Sequence, residues 1–335
     1  MNGRTPELDD LARAVRSVLD REPDECWPVL CEQVGVAGLG VPERFGGLGA
    51  GVAELQVVAE ELGLGLTASP LLGSSVLATV AVLSTGEDAT CARLLPTLAD
   101  GSRRAALAWA SPDGWDHPAF RATDGRLDGT AAYVLDGAGA DVLLAVGWLD
   151  GEPALFEVDT AVPPVESMDQ SLRLATVRLD RAPARLLGRP DLGAVRDAGL
   201  AVLAAEQVSA AAEALARTVA YTREREQFGR PVGSFQALKH RMADLHVLVE
   251  SARSAAYAAG AALAANDPDA SRAALTAKVT CSAAFSTVAA EMIQLHGGIG
   301  FTWEHDAHRY FKRAHATAEL LGSPREHLAR LATQL

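Results

Sequence analysis

Two short stretches concentrate side chains able to do chemistry. Residues 223–245 open on RERE and continue QFGRPVGSFQALKHRMADL; residues 294–310 read QLHGGIGFTWEHDAHRY. Arg225 is a permanent cation, equally suited to an anionic ligand and to the solvated face of an acidic helix. Gly297-Gly298 reads as a helix stop, and two glycines also let a second group approach the backbone closely. His305 and His308, three apart beside Asp306, raise metal ligation. No further ligand group accompanies them, so surface or interface roles are expected and no metal site is assigned. Cys26, Cys31, Cys91 and Cys281 form no CxxC pair and no Cys/His cluster with zinc spacing. They are expected as reduced thiols in the core or on the surface.

Elements must hold these stretches in place. Residues 1–104 read as helical: Leu8, Leu11, Val15 and Leu19 recur at helical spacing, and a second segment covers 25–36. The loop VPERFGGLGAG (41–51) breaks on Pro42 and its glycines, and VAELQVVAEELG (52–63) resumes the helical period with Gly63 at its C-terminus. Residues 105–190 change to short apolar runs. AALAWA, TAAYVL, DVLLAVG and ALFEV predict strands, and Asp113-Gly114, Asp124-Gly125 and Asp136-Gly137 predict turns. This spacing suggests a small antiparallel barrel or sandwich. Residues 191–335 return to alanine-rich helix. One long helix is expected over 198–226 with Asp197 as its N-cap. The next has Phe235, Leu238, Met242, Leu245, Leu248 and Ala252 as its buried stripe, and a third runs from about 270 to 295. Helices, strands and a helical bundle give three domains, 1–104, 105–190 and 191–335.

Composition narrows the partners. The 335 residues carry 43 acidic and 30 basic side chains, a net charge of −13, and no long basic run. Nucleic acid is therefore not expected as a ligand. No uncharged apolar stretch of membrane-spanning length with membrane-type flanks stands out, and MNGRTPELDDLARAV does not read as a secretory signal. A cytoplasmic protein without a membrane partner is expected.

Arg225, Gln227, Phe228, Gly229, Pro231, Phe235 and Gln236 resemble the flavin-binding signature of acyl-CoA dehydrogenases. The stretch 294–310, about 50 residues later, resembles that family's second, glycine-rich signature. VPERFGGLG, LFEVD (155–159) and the segment ending RLLG (185–188) are weaker likenesses. The resemblance implies an N-terminal helical domain, a middle β-barrel and a C-terminal four-helix bundle that oligomerises. It implies α,β-dehydrogenation of an acyl-CoA thioester, in which a carboxylate removes the α-proton and the hydride passes to FAD. In the family the ADP half of FAD lies against a neighbouring subunit. The resemblance places Arg225, Phe228, Gln294, Gly297 and Gly298 there: charge for a pyrophosphate, an apolar face, amide hydrogen bonds and close backbone approach.

The resemblance breaks where the chemistry would occur. Leu321, in LLGS (320–323), stands at the position of the usual catalytic glutamate. The alternative position, at the start of the first bundle helix, falls near Gly199 and Leu200. Asp197 and Glu206 lie close by and are expected to be a cap and a solvated helix residue. In the middle domain, ALAWASPDGWDHP (106–118) replaces a Thr-Glu-Pro…Gly-Ser-Asp-like stretch, keeping only Ser111 as a hydroxyl. Tyr133-Val134-Leu135 replaces a Trp-Ile-Thr/Ser strand that meets the flavin ring. The retained signatures imply a non-catalytic subunit that lends cofactor contacts to a catalytic partner. The likeness is to the α2β2 heterotetramers of actinobacteria acting on CoA thioesters of steroid side chains. Two other readings stay open: a homo-oligomeric FAD enzyme with a displaced base such as Glu206 or Glu319, and a flavin-free binding protein on the same fold.

Overall fold

The computed structural model describes residues 5–22 and 25–333. By internal contacts the chain divides into two units, one formed by Met1–Val58 and Ala68–Val202, the other by Ala59–Thr67 and Leu203–Leu335.

The first unit begins with α1, Pro6–Arg21, which has proline at its start and Glu7 and Asp9 in its first turn. These suit the positive end of the helix dipole. Its buried face is Ala12, Val15 and Val18, the three-residue spacing of an amphipathic helix. Helix α2, Cys26–Val34, stops at Gly35, whose left-handed backbone returns its N–H to the Leu30 and Cys31 carbonyls. The start of α3 (Val52–Leu64, which passes into the second unit at Ala59), α4 (Thr79–Ser84, preceded by a π-helical run Leu71–Ala78) and α5 (Asp88–Ala99) complete the helical part.

Eight strands follow: β1 Ala105–Ala108, β2 Ala110–Ser111, β3 Gly114–Pro118, β4 Phe120–Thr123, β5 Arg126–Leu135, β6 Val142–Leu149, β7 Glu152–Val158 and β8 Leu174–Gly188. The main sheet has the order β1-β6-β4-β5-β8-β7, and β7 pairs again with β6, so the sheet closes on itself. Closure removes exposed edges. The expected antiparallel arrangement needs correction at one seam. Both β1 and β4 run parallel to β6, pairing with successive parts of the same strand, 142–145 and 147–148. Alternate residues of β8 (Ala175, Val177, Leu179) join Phe120, Leu127, Leu143 and Phe156 in the barrel core.

The second unit is built on α6 (Leu192–Glu224), α7 (Gln236–Ala264), α8 (Ala270–His296), α9 (Ala307–Glu319) and α10 (Pro324–Ala332). Buried polar contacts tie four of them together. The Gln207 amide of α6 donates to the Ser282 hydroxyl of α8 and the Thr317 hydroxyl of α9, each at 3.1 Å. The Cys281 thiol of α8 donates to the Ala252 carbonyl of α7. Gly63, in the last turn of α3, has a reason beyond ending a helix. A Cβ there would sit 2.3 Å from Ser209 Oγ and 2.6 Å from the Glu206 carbonyl.

Two expectations about these helices change. Helix α6 begins at Leu192, and the Asp191 carboxylate accepts from the Ala194 N–H at 3.0 Å, so Asp197 lies inside the helix. On α7, Val249 rather than Leu248 is buried; Leu248 is 40% exposed. Leu192–Glu224 and Ala270–Phe301 are long and apolar enough to cross a membrane by length and composition, with 83% of the apolar window of the former buried in the fold.

Candidate functional site

Four of the five residues expected to contact a cofactor line one cleft of about 550 Å³ in the second unit. Arg225 enters it just beyond α6, Gln294 from the last turn of α8, and Gly297 and Gly298 from the turn that follows. The chain leaves α6 along a fixed path: the Arg225 N–H donates to the Tyr221 carbonyl at 2.9 Å and its own carbonyl accepts from the Val232 N–H at 2.7 Å. The Arg225 guanidinium makes no ion pair among the described residues. Helix α8 stops where the sequence predicts. Gly297 takes φ 63° and ψ −141°, and its N–H donates to the Gln294 carbonyl. No heavy atom lies within 4 Å of a Cβ built on either glycine, so the backbone there faces open space.

Phe228 is the exception. It does not line the cleft but stands at the tip of a two-residue hairpin between β9 (Glu226–Gln227) and β10 (Arg230–Pro231). Phe228 and Gly229 both have left-handed backbones, φ 55° and 74°, the geometry of a primed hairpin turn. A phenylalanine there is strained, and its side chain is 91% exposed, edge-on to Phe235.

Sequence reading missed the cleft's remaining polar wall, although all of it lies in or beside the quoted motifs. Tyr221 stacks on His296 at 4.3 Å, and His296 meets His305 at 4.3 Å. His296 Nδ1 donates to the Met292 carbonyl at 2.7 Å, which fixes the tautomer. Burial, with His305 adding to it, holds the His296 pKa below the usual histidine value, whereas the Met292 bond opposes this. Arg241 of α7 reaches Glu291 of α8 at 2.6 Å. Glu291 and Gln294, one helical turn apart, were a legible signal of a shared face. The chemistry of the wall is one unpaired guanidinium, one paired guanidinium, an amide and uncovered glycine backbone. That set is chemically suited to a phosphorylated ligand: charge-assisted donors can meet its oxygens, and missing Cβ atoms permit approach.

The positions expected to hold a base are occupied otherwise. Leu321 is buried with a left-handed backbone, φ 63°. Gly199 and Leu200 are buried within α6. The Glu206 carboxylate is engaged by Arg313 of α9, whose side chain is 3% exposed. Glu319, at the end of α9, is exposed.

In the first unit, the Ser111 hydroxyl closes its own turn by accepting from the Asp113 N–H at 3.2 Å. Leu135 is buried. Tyr133 sits at an irregularity in the β5–β8 pairing with φ 55° and stacks on Trp115 at 6.3 Å. Trp115 in turn meets Trp109 edge-on at 5.8 Å.

The family models for the acyl-CoA dehydrogenase N-terminal and C-terminal domains match residues 6–102 and 198–335. Acyl-CoA dehydrogenase IpdE2 of Mycobacterium tuberculosis is 44% identical over 325 residues, covering 96% of this chain and 91% of that protein. Among solved structures, the Tcur3481-Tcur3483 steroid ACAD G363A variant aligns with a TM-score of 0.88 at 32% identity, over 98% of this chain and 97% of that one. The ChsE4-ChsE5 complex from Mycobacterium tuberculosis aligns with a TM-score of 0.89 at 28% identity, over 99% and 97%.

Proposed function

The chain belongs to the acyl-CoA dehydrogenase family of FAD-binding oxidoreductases, and from that premise we propose that it is a non-catalytic subunit of a two-chain enzyme. In this reading the C-terminal segment 191–335 holds the ADP half of an FAD whose ring half, base and acyl-CoA substrate belong to a catalytic partner. Segments 1–104 and 105–190 keep the family's helical and β domains without its chemistry. The assembly is an α2β2 heterotetramer in the cytoplasm. Its substrate is a steroid acyl-CoA thioester, in keeping with one structural neighbour named a steroid ACAD.

The observation that carries the reading is Arg225. It is a guanidinium with no ion pair among the described residues, in a chain of net charge −13, and it lines a cleft together with Gln294, glycine backbone, His296 and the carboxylate-paired Arg241. A guanidinium with no ion pair beside uncovered glycine backbone fits an anion supplied from outside. When bound, FAD supplies the two-electron acceptor of the dehydrogenation. The chain's own residues do the rest of what is asked of them here. Arg225 neutralises pyrophosphate charge. The Gln294 amide and the uncovered backbone at Gly297-Gly298 orient it. Phe228, on its strained hairpin, offers an apolar face outward, placed to meet a neighbouring subunit.

The missing base supports the same division of labour. Proton transfer needs a group within roughly 3 Å of the α-carbon, or a bridging water. Leu321 has no lone pair, and the Glu206 carboxylate is already engaged by the buried Arg313.

The test uses the chain co-expressed with its catalytic partner. Arg225→Ala removes a charge-assisted contact worth about 1.5–3 kcal/mol. FAD affinity of the complex should fall roughly tenfold to a hundredfold, while every catalytic residue remains on the other chain. Unchanged flavin retention during dilution and gel filtration would exclude Arg225 from the cofactor site.

A further inference from the structure

The same cleft holds a second guanidinium that is not free. Arg241 Nη2 lies 2.7 Å from Glu291 Oε1 and 2.6 Å from Oε2. Arg241 lines the cleft with Arg225, and Glu291 sits one turn before Gln294 on α8. Both side chains keep solvent contact, 43% and 26% exposed, although Glu291 Oε2 itself is buried, so the pair is partly screened. Glu291 does not itself line the cleft, but a carboxylate held on a lining guanidinium opposes an anionic ligand twice: its charge repels the ligand, and it occupies a donor the ligand needs.

We infer that Glu291 sets the cleft's affinity for diphosphate by holding Arg241, so that the site grips a pyrophosphate firmly only when Arg241 changes partner from carboxylate to phosphoryl oxygen. The inference rests on the nucleotide reading of the cleft. It gives Arg225 the first phosphoryl group and Arg241 the second, with Glu291 as a positioning residue acting through Arg241. The consequence suits a subunit that lends contacts. Free nucleotides such as ADP would bind weakly, and the cleft would fill when the remainder of the cofactor is anchored elsewhere. A monophosphate, needing one guanidinium, would be nearly indifferent to Glu291.

The experiment is calorimetric titration of the isolated full-length chain with ADP and with AMP. Wild type is compared with Glu291→Gln, Arg241→Gln, the double variant and Arg225→Ala. Glu291→Gln should tighten ADP about threefold to tenfold, the scale of releasing a screened ion pair, and change AMP much less. Arg241→Gln should weaken ADP selectively, and the double variant should lose the gain from Glu291→Gln. A residue that merely held the helices together would not tighten binding on removal, nor discriminate two phosphates from one. If Arg225→Ala weakens ADP but Glu291→Gln leaves it unchanged or weaker, the control by Glu291 is wrong and the cleft assignment stands. If neither wild type nor Glu291→Gln binds ADP at millimolar concentration, or if Arg225→Ala binds as wild type does, the nucleotide assignment itself fails.

Discussion

Gly297 and Gly298 are adjacent in the cleft, yet only one has a backbone that demands glycine. Gly297, at φ 63° and ψ −141°, lies close to a region that side-chain-bearing residues rarely enter. Gly297→Ala should destabilise the chain by about 1–3 kcal/mol. Gly298 is not among the left-handed glycines, and its added Cβ would meet nothing within 4 Å. Gly298→Ala should therefore unfold at the wild-type temperature but bind ADP more weakly, because the new methyl occupies the ligand's approach. Thermal unfolding paired with ADP titration separates the two, and normal binding by a destabilised Gly298→Ala would reverse the assignment. Glu206 offers a second contrast. If it neutralises buried Arg313, Glu206→Ala should cost about 3–5 kcal/mol in urea unfolding, with Glu206→Ala/Arg313→Met recovering much of that. If instead Glu206→Gln abolished turnover of an intact complex, Glu206 would be the displaced base.

At the scale of elements, Lys278 joins α8 to α9 and makes the bundle respond to pH. Its Nζ donates to the Thr317 carbonyl and, at 3.1 Å, to the Ala318 carbonyl in the last turn of α9. Burial is the main cause of a pKa pushed down from 10.5 to about 7, opposed by Glu319. Below pH 7 folded and unfolded chains are both protonated at this site and the penalty of a buried charge is fully present. Between pH 7 and 10.5 the unfolded chain holds a proton that the folded chain has lost, so the Lys278 contribution to stability rises with pH. Cys31 and Cys281, raised to about 11 and about 12 chiefly by burial, act in the opposite sense above pH 9. The comparison therefore belongs between pH 7 and 9: urea unfolding of Lys278→Met should show a flatter rise than wild type. Equal slopes would contradict the assignment.

These elements also mark how far sequence carries. The end of α8 at Gly297 was legible because the signal is local, and β1, β5, β6 and β7 announced themselves by apolar runs between turns, while β3 and β4 carried no such run. Strand β8 did not: its alternating half, Leu174–Leu179, gives way to Asp180, Arg181, Pro183 and Arg185, which break the apolar alternation. It is held by pairing with β5 and β7. The parallel seam on β6 and the Arg241–Glu291 contact were equally hidden, because each depends on a partner distant in sequence.

At the scale of the whole molecule, the proposed function gives this chain half of a site. Of the five residues proposed for the ADP side, Arg225, Gln294, Gly297 and Gly298 line one cleft and Phe228 stands outside it, while the family's base positions hold Leu321, Gly199 and Leu200. An acidic surface of net charge −13 would repel a free dinucleotide at long range, which fits a cofactor brought by a partner. The most direct measurement is the flavin absorbance and acyl-CoA dehydrogenase activity of the purified lone chain, set beside the complex co-purified with its partner. The lone chain should carry far less than one FAD and no activity, and the complex one FAD per pair of unlike chains. A full equivalent of FAD on the lone chain, with turnover of an acyl-CoA, would show a complete enzyme and contradict the account.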